Sequence, residues 1–142
     1  MRVSDEQFVE FELGQENYAI PISAIHEIIR MQDITEIPNG RNYVKGVINL
    51  RGKIVPIIHL SRLFELQETP AGKSTRIVVV NHTLEYIGII VDRVNQVTTF
   101  TDIQPPPERI GGINGSYFAG IGISTAGLVG ILKMDEVLIQ DS

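Results

Sequence analysis

Apolar and polar residues alternate with a period of two over most of the chain, the signature of strands with one buried face. The clearest stretch runs from Tyr43 to Phe64, where Gly46, Val47, Ile48, Asn49 and Leu50 form one apolar run and Ile54 to Leu60 another. Between them stand Arg51 and Gly52, which predicts a β-hairpin turning at that pair and carrying Asn49 and Arg51 as polar positions. Pro56 has no N–H to give to a ladder, so its strand is expected at a sheet edge or with a bulge at that point. A second hairpin is predicted where Val9, Phe11 and Leu13 alternate with Glu10 and Glu12, with a turn over residues 14–17 before Tyr18, Ile20 and Ile22 resume the pattern.

The following segment changes period. Pro21 and Ser23 favour a helical turn with Ser23 as N-cap, Ile25, Ile28 and Ile29 on one face and Glu27 on the exposed side. Met31 to Ile37 is expected as another strand, closed by Pro38 and the turn pair Asn39 and Gly40. Ser61 is expected to cap a short helix containing Leu63 and Phe64. From Gln67 to Ser74 the composition turns polar, with Pro70 and Gly72, which marks a linker. Beyond it, Arg76 to Asn81, Leu84 to Val91 and Gly120 to Met134 read as strands, and Pro105 to Gly115 as a long loop.

The second half repeats the first. Pro21 to Ile28 aligns with Ile90 to Val97 at a constant offset of 69, matching Ser23 with Asp92, Ile25 with Val94 and Ile28 with Val97. Gly46 to Phe64 aligns with Gly120 to Leu138 at an offset of 74, matching Ile54 with Leu128, Ile57 with Ile131 and Ser61 with Asp135. The change of offset falls between the matched segments, where the Pro105, Pro106, Pro107 loop can absorb it. Two similar units of strands, a helical turn and a short helix imply two small closed barrels packed together.

Composition narrows the function. The 142 residues are 43% hydrophobic and 20% charged, enough for one sizeable core or two small ones. No apolar run approaches the roughly 18 residues of a membrane span, and Met1 to Glu6 lacks the order of a secretory signal, so a cytoplasmic protein is expected. The absence of cysteine excludes disulfides, thiolate metal sites and cysteine nucleophiles. A net charge of −5 argues against nucleic acid or an anionic membrane as partner. His26, His59 and His82 stand on separate segments without metal-ligand spacing and read as structural or solvent-facing. Gly72, Lys73, Ser74 imitates the end of a phosphate-binding loop, but Gln67 stands where that motif needs glycine, and the segment 111–115 has no helical pattern behind it. No cofactor, metal or catalytic constellation is expected.

The residues from Tyr18 to Arg30 and the motif Gly46, Val47, Ile48, Asn49, Leu50, Arg51, Gly52, Ile54, Val55, Pro56, Ile57 closely resemble the CheW-like domain family. The likeness continues through Arg76 to Val80, Gly88, Val91, Asp92, Val94, Val97, the three prolines, Tyr117, Gly120 to Gly122 and Ile131 to Leu138. It covers nearly the whole chain, and its most specific part is Asn49 to Pro56. Such domains occur as stand-alone adaptors, within the chemotaxis histidine kinase CheA, and fused to a receiver domain in CheV. With neither kinase nor receiver segments, this chain looks like the stand-alone adaptor.

The resemblance implies an all-β fold of two five-stranded SH3-like barrels side by side, with short helical turns and a short C-terminal helix. Residues 1–142 would form a single CheW-like domain with one subdomain at about 14–72 and a second at about 73–142. The first strand, 8–13, would join its own barrel or cross to the second, since both satisfy the same alternation.

It also implies a non-catalytic adaptor that couples methyl-accepting chemoreceptors to CheA in cytoplasmic arrays at the membrane. A groove between the barrels would take the receptor's signalling tip. The barrel ends would pair with the regulatory domain of CheA, and with other adaptor copies in rings. Carried over by position, Glu27, Asn49 and Arg51 would be the polar receptor-binding residues, flanked by Ile25, Ile28, Val94 and Val97. Core packing remains an open reading for Ile28 and Val97, and a solvated turn residue for Arg51. Gln104, Glu108 and Arg109 would face the kinase.

Three positions depart from the family pattern. Residue 109 is often aromatic there and is Arg109 here; residue 59 is usually aspartate and is His59 here, so a salt link at that site would depend on pH; residue 41, often proline, is Arg41. Alternatives are a coupler for a pilus or other non-flagellar pathway, a small-molecule-binding barrel, and a hydrolase, the last disfavoured by the missing catalytic constellation.

Overall fold

The computed structural model describes residues 6–37, 43–124 and 127–138. In chain order its strands are β1 (Phe8–Leu13), β2 (Glu16–Pro21), β3 (Ile25–Arg30), β4 (Val44–Leu50), β5 (Lys53–His59), β6 (Arg76–His82) and β7 (Glu85–Val91). They continue with β8 (Arg93–Thr98), β9 (Ile103–Gln104), β10 (Arg109–Ile110), β11 (Ile113–Asn114), β12 (Phe118–Ser124) and β13 (Gly127–Leu132). Two short helices, α1 (Leu60–Leu63) and α2 (Met134–Leu138), follow β5 and β13.

The chain forms two compact units. One is drawn from residues up to Ser23 and from Asn95 onward, the other from Ala24 to Val94. In the second unit the sheet order is β3-β6-β7-β5-β4, and in the first it is β8-β1-β2-β13-β12-β9. Matched through the sequence repeat, β3 corresponds to β8, β6 to β1, β7 to β2, β5 to β13 and β4 to β12. The two sheets therefore share one strand order, each with a single parallel step, β5 on β7 and β2 on β13. Each is an SH3-like barrel, and the first carries β9 as a sixth strand. The hairpin β1–β2 pairs with strands of the second repeat, and β6–β7 with strands of the first. The polar stretch read as a linker, Gln67 to Ser74, accordingly joins α1 to β6 inside one unit, and the expected division near 72 lies within it.

Several local expectations change. Ile25 to Arg30 is a strand, preceded by a 3-10 turn at Ile22–Ala24, not a helical face. Its pairing with β6 skips a residue between Ile25 and Glu27, and that bulge at His26 breaks the simple alternation. The stretch Met31 to Ile37 forms no strand; its Thr35 makes an isolated bridge to Val47, exchanging two 2.9 Å backbone hydrogen bonds. Pro38, Asn39, Gly40 and Arg41 lie outside the described residues. Ser61 does not cap α1; it lies within the helix and is buried, while the N-cap is His59, which makes no side-chain cap bond. Pro56 is not on an edge strand, but β5 pairs with β7 only from Ile57 onward, so its missing N–H falls where no ladder partner is required. The loop at 105–115 contains the small ribbon β10–β11.

Packing explains the two cores. In the second unit Ile48, Val55, Ile57, Ile77, Val79 and Ile90 fill the barrel, with Ile29, Met31 and Ile34 packed against them. In the first, Phe8, Ala19, Phe100, Val129 and Ile131 do so, with the Phe8 and Phe100 rings 5.2 Å apart. Each such Val, Ile or Phe side chain contributes about 1.5–3 kcal/mol when fully buried. Glu10 breaks the alternation: it is only 3% exposed. Asn95 and Gln96 on β8 donate their carboxamide N–H groups to its carboxylate at 3.4 and 3.3 Å, which meets the requirement that a buried polar group be hydrogen-bonded.

His59 sits at the junction of β5 and α1 with its side chain 12% exposed, Nε2 lying 3.2 Å from Glu68 Oε1. Arg62 Nε donates to the other Glu68 oxygen at 2.8 Å. That hydrogen bond holds the Glu68 carboxyl below its usual range. Burial holds the His59 imidazole below its ordinary 6.5, outweighing the pull of Glu68. Its Nδ1 is buried without a hydrogen-bond partner among the described residues.

Two outcomes follow from this packing. Gly46 has φ +154°, and a Cβ there would run into the backbone carbonyl of Thr35; Gly46→Ala should cost about 1–3 kcal/mol, read as a lower urea midpoint with an unchanged slope. For His59, the unfolded chain takes up a proton at a higher pH than the folded one. Stability present above 6.5 is therefore lost as the pH falls through that value and on through the lower folded pKa. Thermal melts from pH 7.5 to 5 should show this loss, and His59→Gln should flatten it; equal slopes in the two proteins would refute the assignment.

Candidate functional site

The β4–β5 register, Leu50 opposite Lys53, leaves two residues for the turn. Arg51 and Gly52 take φ of +51° and +89°, the left-handed pair of a type I′ turn whose twist matches the flanking strands. Asn49 Oδ1 accepts the Gly52 N–H at 2.8 Å and holds the turn closed. Arg51 is thereby presented at the hairpin tip with its side chain 65% exposed, and its guanidinium donates to Glu27 Oε1 on β3. β3 and β4 are the two end strands in the sheet order, so this ion pair joins the ends of one curled sheet.

Around the pair stand residues that sequence reasoning did not assign to it. The bulge at His26 brings two adjacent side chains together, and His26 Nε2 lies 3.2 Å from the Glu27 oxygen that also receives Arg51. The imidazole stacks on Tyr86 of β7, centroids 4.2 Å apart and 17° between planes. Lys53 Nζ lies 5.3 Å from the centre of the same Tyr86 ring. The adjacency of His26 and Glu27 was visible in the sequence, but the bulge that makes them neighbours in space carries no compositional mark.

Glu27, Asn49 and Arg51 are thus brought together. On β3, Ile25 is half-buried and Ile28 is 38% exposed. On β8, Val94 is half-buried and Val97 is 51% exposed. Across the bulge Ile25 is set opposite Val80 and Ile28 opposite Val78, two positions on one face of β6, whereas Val94 and Val97, three apart on β8, point to opposite faces. Ile28 and Val97 are not core residues.

Gln104, Glu108 and Arg109 lie in the first unit, all exposed. Gln104 on β9 donates to Asp102 at 2.8 Å. The Glu108 carbonyl accepts the Gly115 N–H at 2.7 Å, and the Arg109 guanidinium folds onto the Gly112 carbonyl at 2.5 Å. A cleft of about 400 Å³ opens beside them, lined by Tyr18, Pro107, Arg109, Ile110, Ile121 and Leu128 among others. Its apolar wall is supplied by Ile110 and Leu128, not by position 109. Burial, reinforced by Glu16, pushes the Tyr18 phenol up to about 12, so it stays neutral. Among the described residues no three histidine, aspartate or glutamate side chains converge as a metal site.

The family model for the CheW-like domain matches residues 7–141. The chemotaxis protein CheW of Helicobacter pylori is 40% identical over 137 residues, covering 95% of this chain and 82% of its own. The chemotaxis protein CheW of Treponema pallidum is 40% identical over 129 residues, 85% of this chain and 76% of its own. Among crystal structures, the scaffolding protein TtCheW from Thermoanaerobacter tengcongensis matches with a TM-score of 0.87 at 32% identity, over 96% of this chain and 88% of that one. A family match across nearly every residue, on a shared fold and at this level of identity, means that the chain belongs to the CheW-like domain family.

Proposed function

We propose that this protein is a non-catalytic chemotaxis adaptor, coupling chemoreceptors to a CheA-type histidine kinase in arrays on the cytoplasmic side of the membrane. The observation that carries the reading is the Glu27–Arg51 pair at the tip of the β4–β5 hairpin. The turn and strand β3 together present one charge of each sign, which suits them to set the register of a helical partner and reject mismatched surfaces. The receptor's signalling tip would engage Ile25, Glu27, Ile28, Asn49, Arg51, Val94 and Val97. The regulatory domain of the kinase would engage the segment of Gln104, Glu108 and Arg109, whose neighbouring cleft offers an apolar socket.

No described helix is long and apolar enough to cross a membrane, so attachment to an array would come from the receptors. Two modest sites on one chain gain strength when receptor and kinase are each held near many adaptor copies. The relatives are chemotaxis proteins and the structural neighbour is a scaffolding protein, and both likenesses support the same reading.

Arg51→Glu places two carboxylates side by side at the hairpin tip. Binding to a receptor signalling tip should weaken by about fivefold or more, while binding to the kinase regulatory domain stays unchanged. Titration calorimetry against each partner separates the two arms. A variant that loses both, or that no longer folds, would remove Arg51 from the receptor side.

A further inference from the structure

We infer that His26 is a specificity-determining member of the Glu27–Arg51 site, one that makes its attraction for acidic partners depend on protonation. The inference rests on the receptor-coupling reading above. Its basis is a shared acceptor: Glu27 Oε1 receives both the Arg51 guanidinium and His26 Nε2, the latter at 3.2 Å. A single carboxylate oxygen holds two cations less well than one. With His26 neutral, Arg51 has the stronger claim and the pair carries no net charge. With His26 protonated, the trio carries a net positive charge, and the imidazolium competes for Glu27.

The surroundings hold His26 in place for this role. The β3 bulge aims its side chain, and the Tyr86 ring stacked at 4.2 Å fixes the plane of the imidazole. The charged and titratable groups facing it are Glu27 on its own strand, Arg51 from the β4–β5 turn, the Tyr86 phenol on β7 and, across that ring, Lys53 on β5. On the neighbouring β6, the residues in register are Val79 and Val80, which are neutral. Protonation frees part of the Arg51 guanidinium, whose side chain is already 65% exposed, and adds a second positive group beside it. The favoured partner under acidification is a helical segment carrying a carboxylate opposite Arg51.

The coupling is tested first on the protein alone. The Arg51 Nε resonance should follow the His26 Cε1 titration between pH 7.5 and 5 and become flat in His26→Gln; an Arg51 signal that stays flat in the native protein while His26 titrates overturns the inference. Binding is tested with a receptor signalling-tip hairpin bearing exposed carboxylates. Native affinity should rise about threefold from pH 7.5 to 5.5, His26→Gln should show no rise, and His26→Lys should hold the higher affinity at pH 7.5. The same rise in native protein and His26→Gln would place the titrating group on the partner and overturn the assignment. A tip that binds at no pH, with the Arg51 resonance still tracking His26, supports the proton-linked pair and refutes the receptor reading alone.

Discussion

Both barrels depend on one parallel step between strands that lie far apart in sequence. In the second unit it sets Ile57 opposite Gly88, and in the first Gly130 opposite Tyr18. Antiparallel neighbours can be joined by two-residue turns, and the hairpins β1–β2, β4–β5 and β6–β7 are joined in that way. A parallel neighbour needs a long connection. Here each repeat's first hairpin meets that need by pairing with strands of the other repeat. Closing a long loop costs only slightly more than closing a short one, so the distant pairing is accessible. It also makes the two sheets interdependent, because each is completed by chain from both halves.

The candidate site inherits its geometry from this curled sheet. Arg51 is displayed by a turn that requires left-handed backbone at two successive residues, and Asn49 closes that turn with its side chain. Glu27 comes from the opposite end of the strand order, which a flat sheet would hold far from the hairpin tip. Such an exposed pair adds little to stability. Its value lies in orientation: the barrel fixes where each charge stands, and the bulge at His26 adds a third polar group without disturbing the core face occupied by Ile29.

Errors in reading the segments from sequence have physical causes. Ile25, Ile28 and Ile29 have the spacing of a helix face, yet they lie on a strand whose alternation is interrupted by a bulged residue. Met31 to Ile37 has the composition of a strand but pairs at a single point, because Gly46 lets the Thr35 backbone approach closely there. Glu10 alternates as a surface residue would, and is buried because two carboxamides on β8 reach it.

By itself the sequence determined the hairpins, the turn at Arg51 and Gly52, the twofold repeat and the family likeness that singles out Glu27 and Arg51. These features are local: alternation, turn chemistry and motif spacing act over a few residues and need no knowledge of partners. Only the tertiary structure decided that each leading hairpin completes the other repeat's barrel, that the polar stretch near 70 is a loop within a unit, and that Arg51 and His26 share one oxygen of Glu27. Those outcomes depend on which strand edges meet and where a ladder skips a residue, and the energy that settles them comes from contacts between residues distant in the chain.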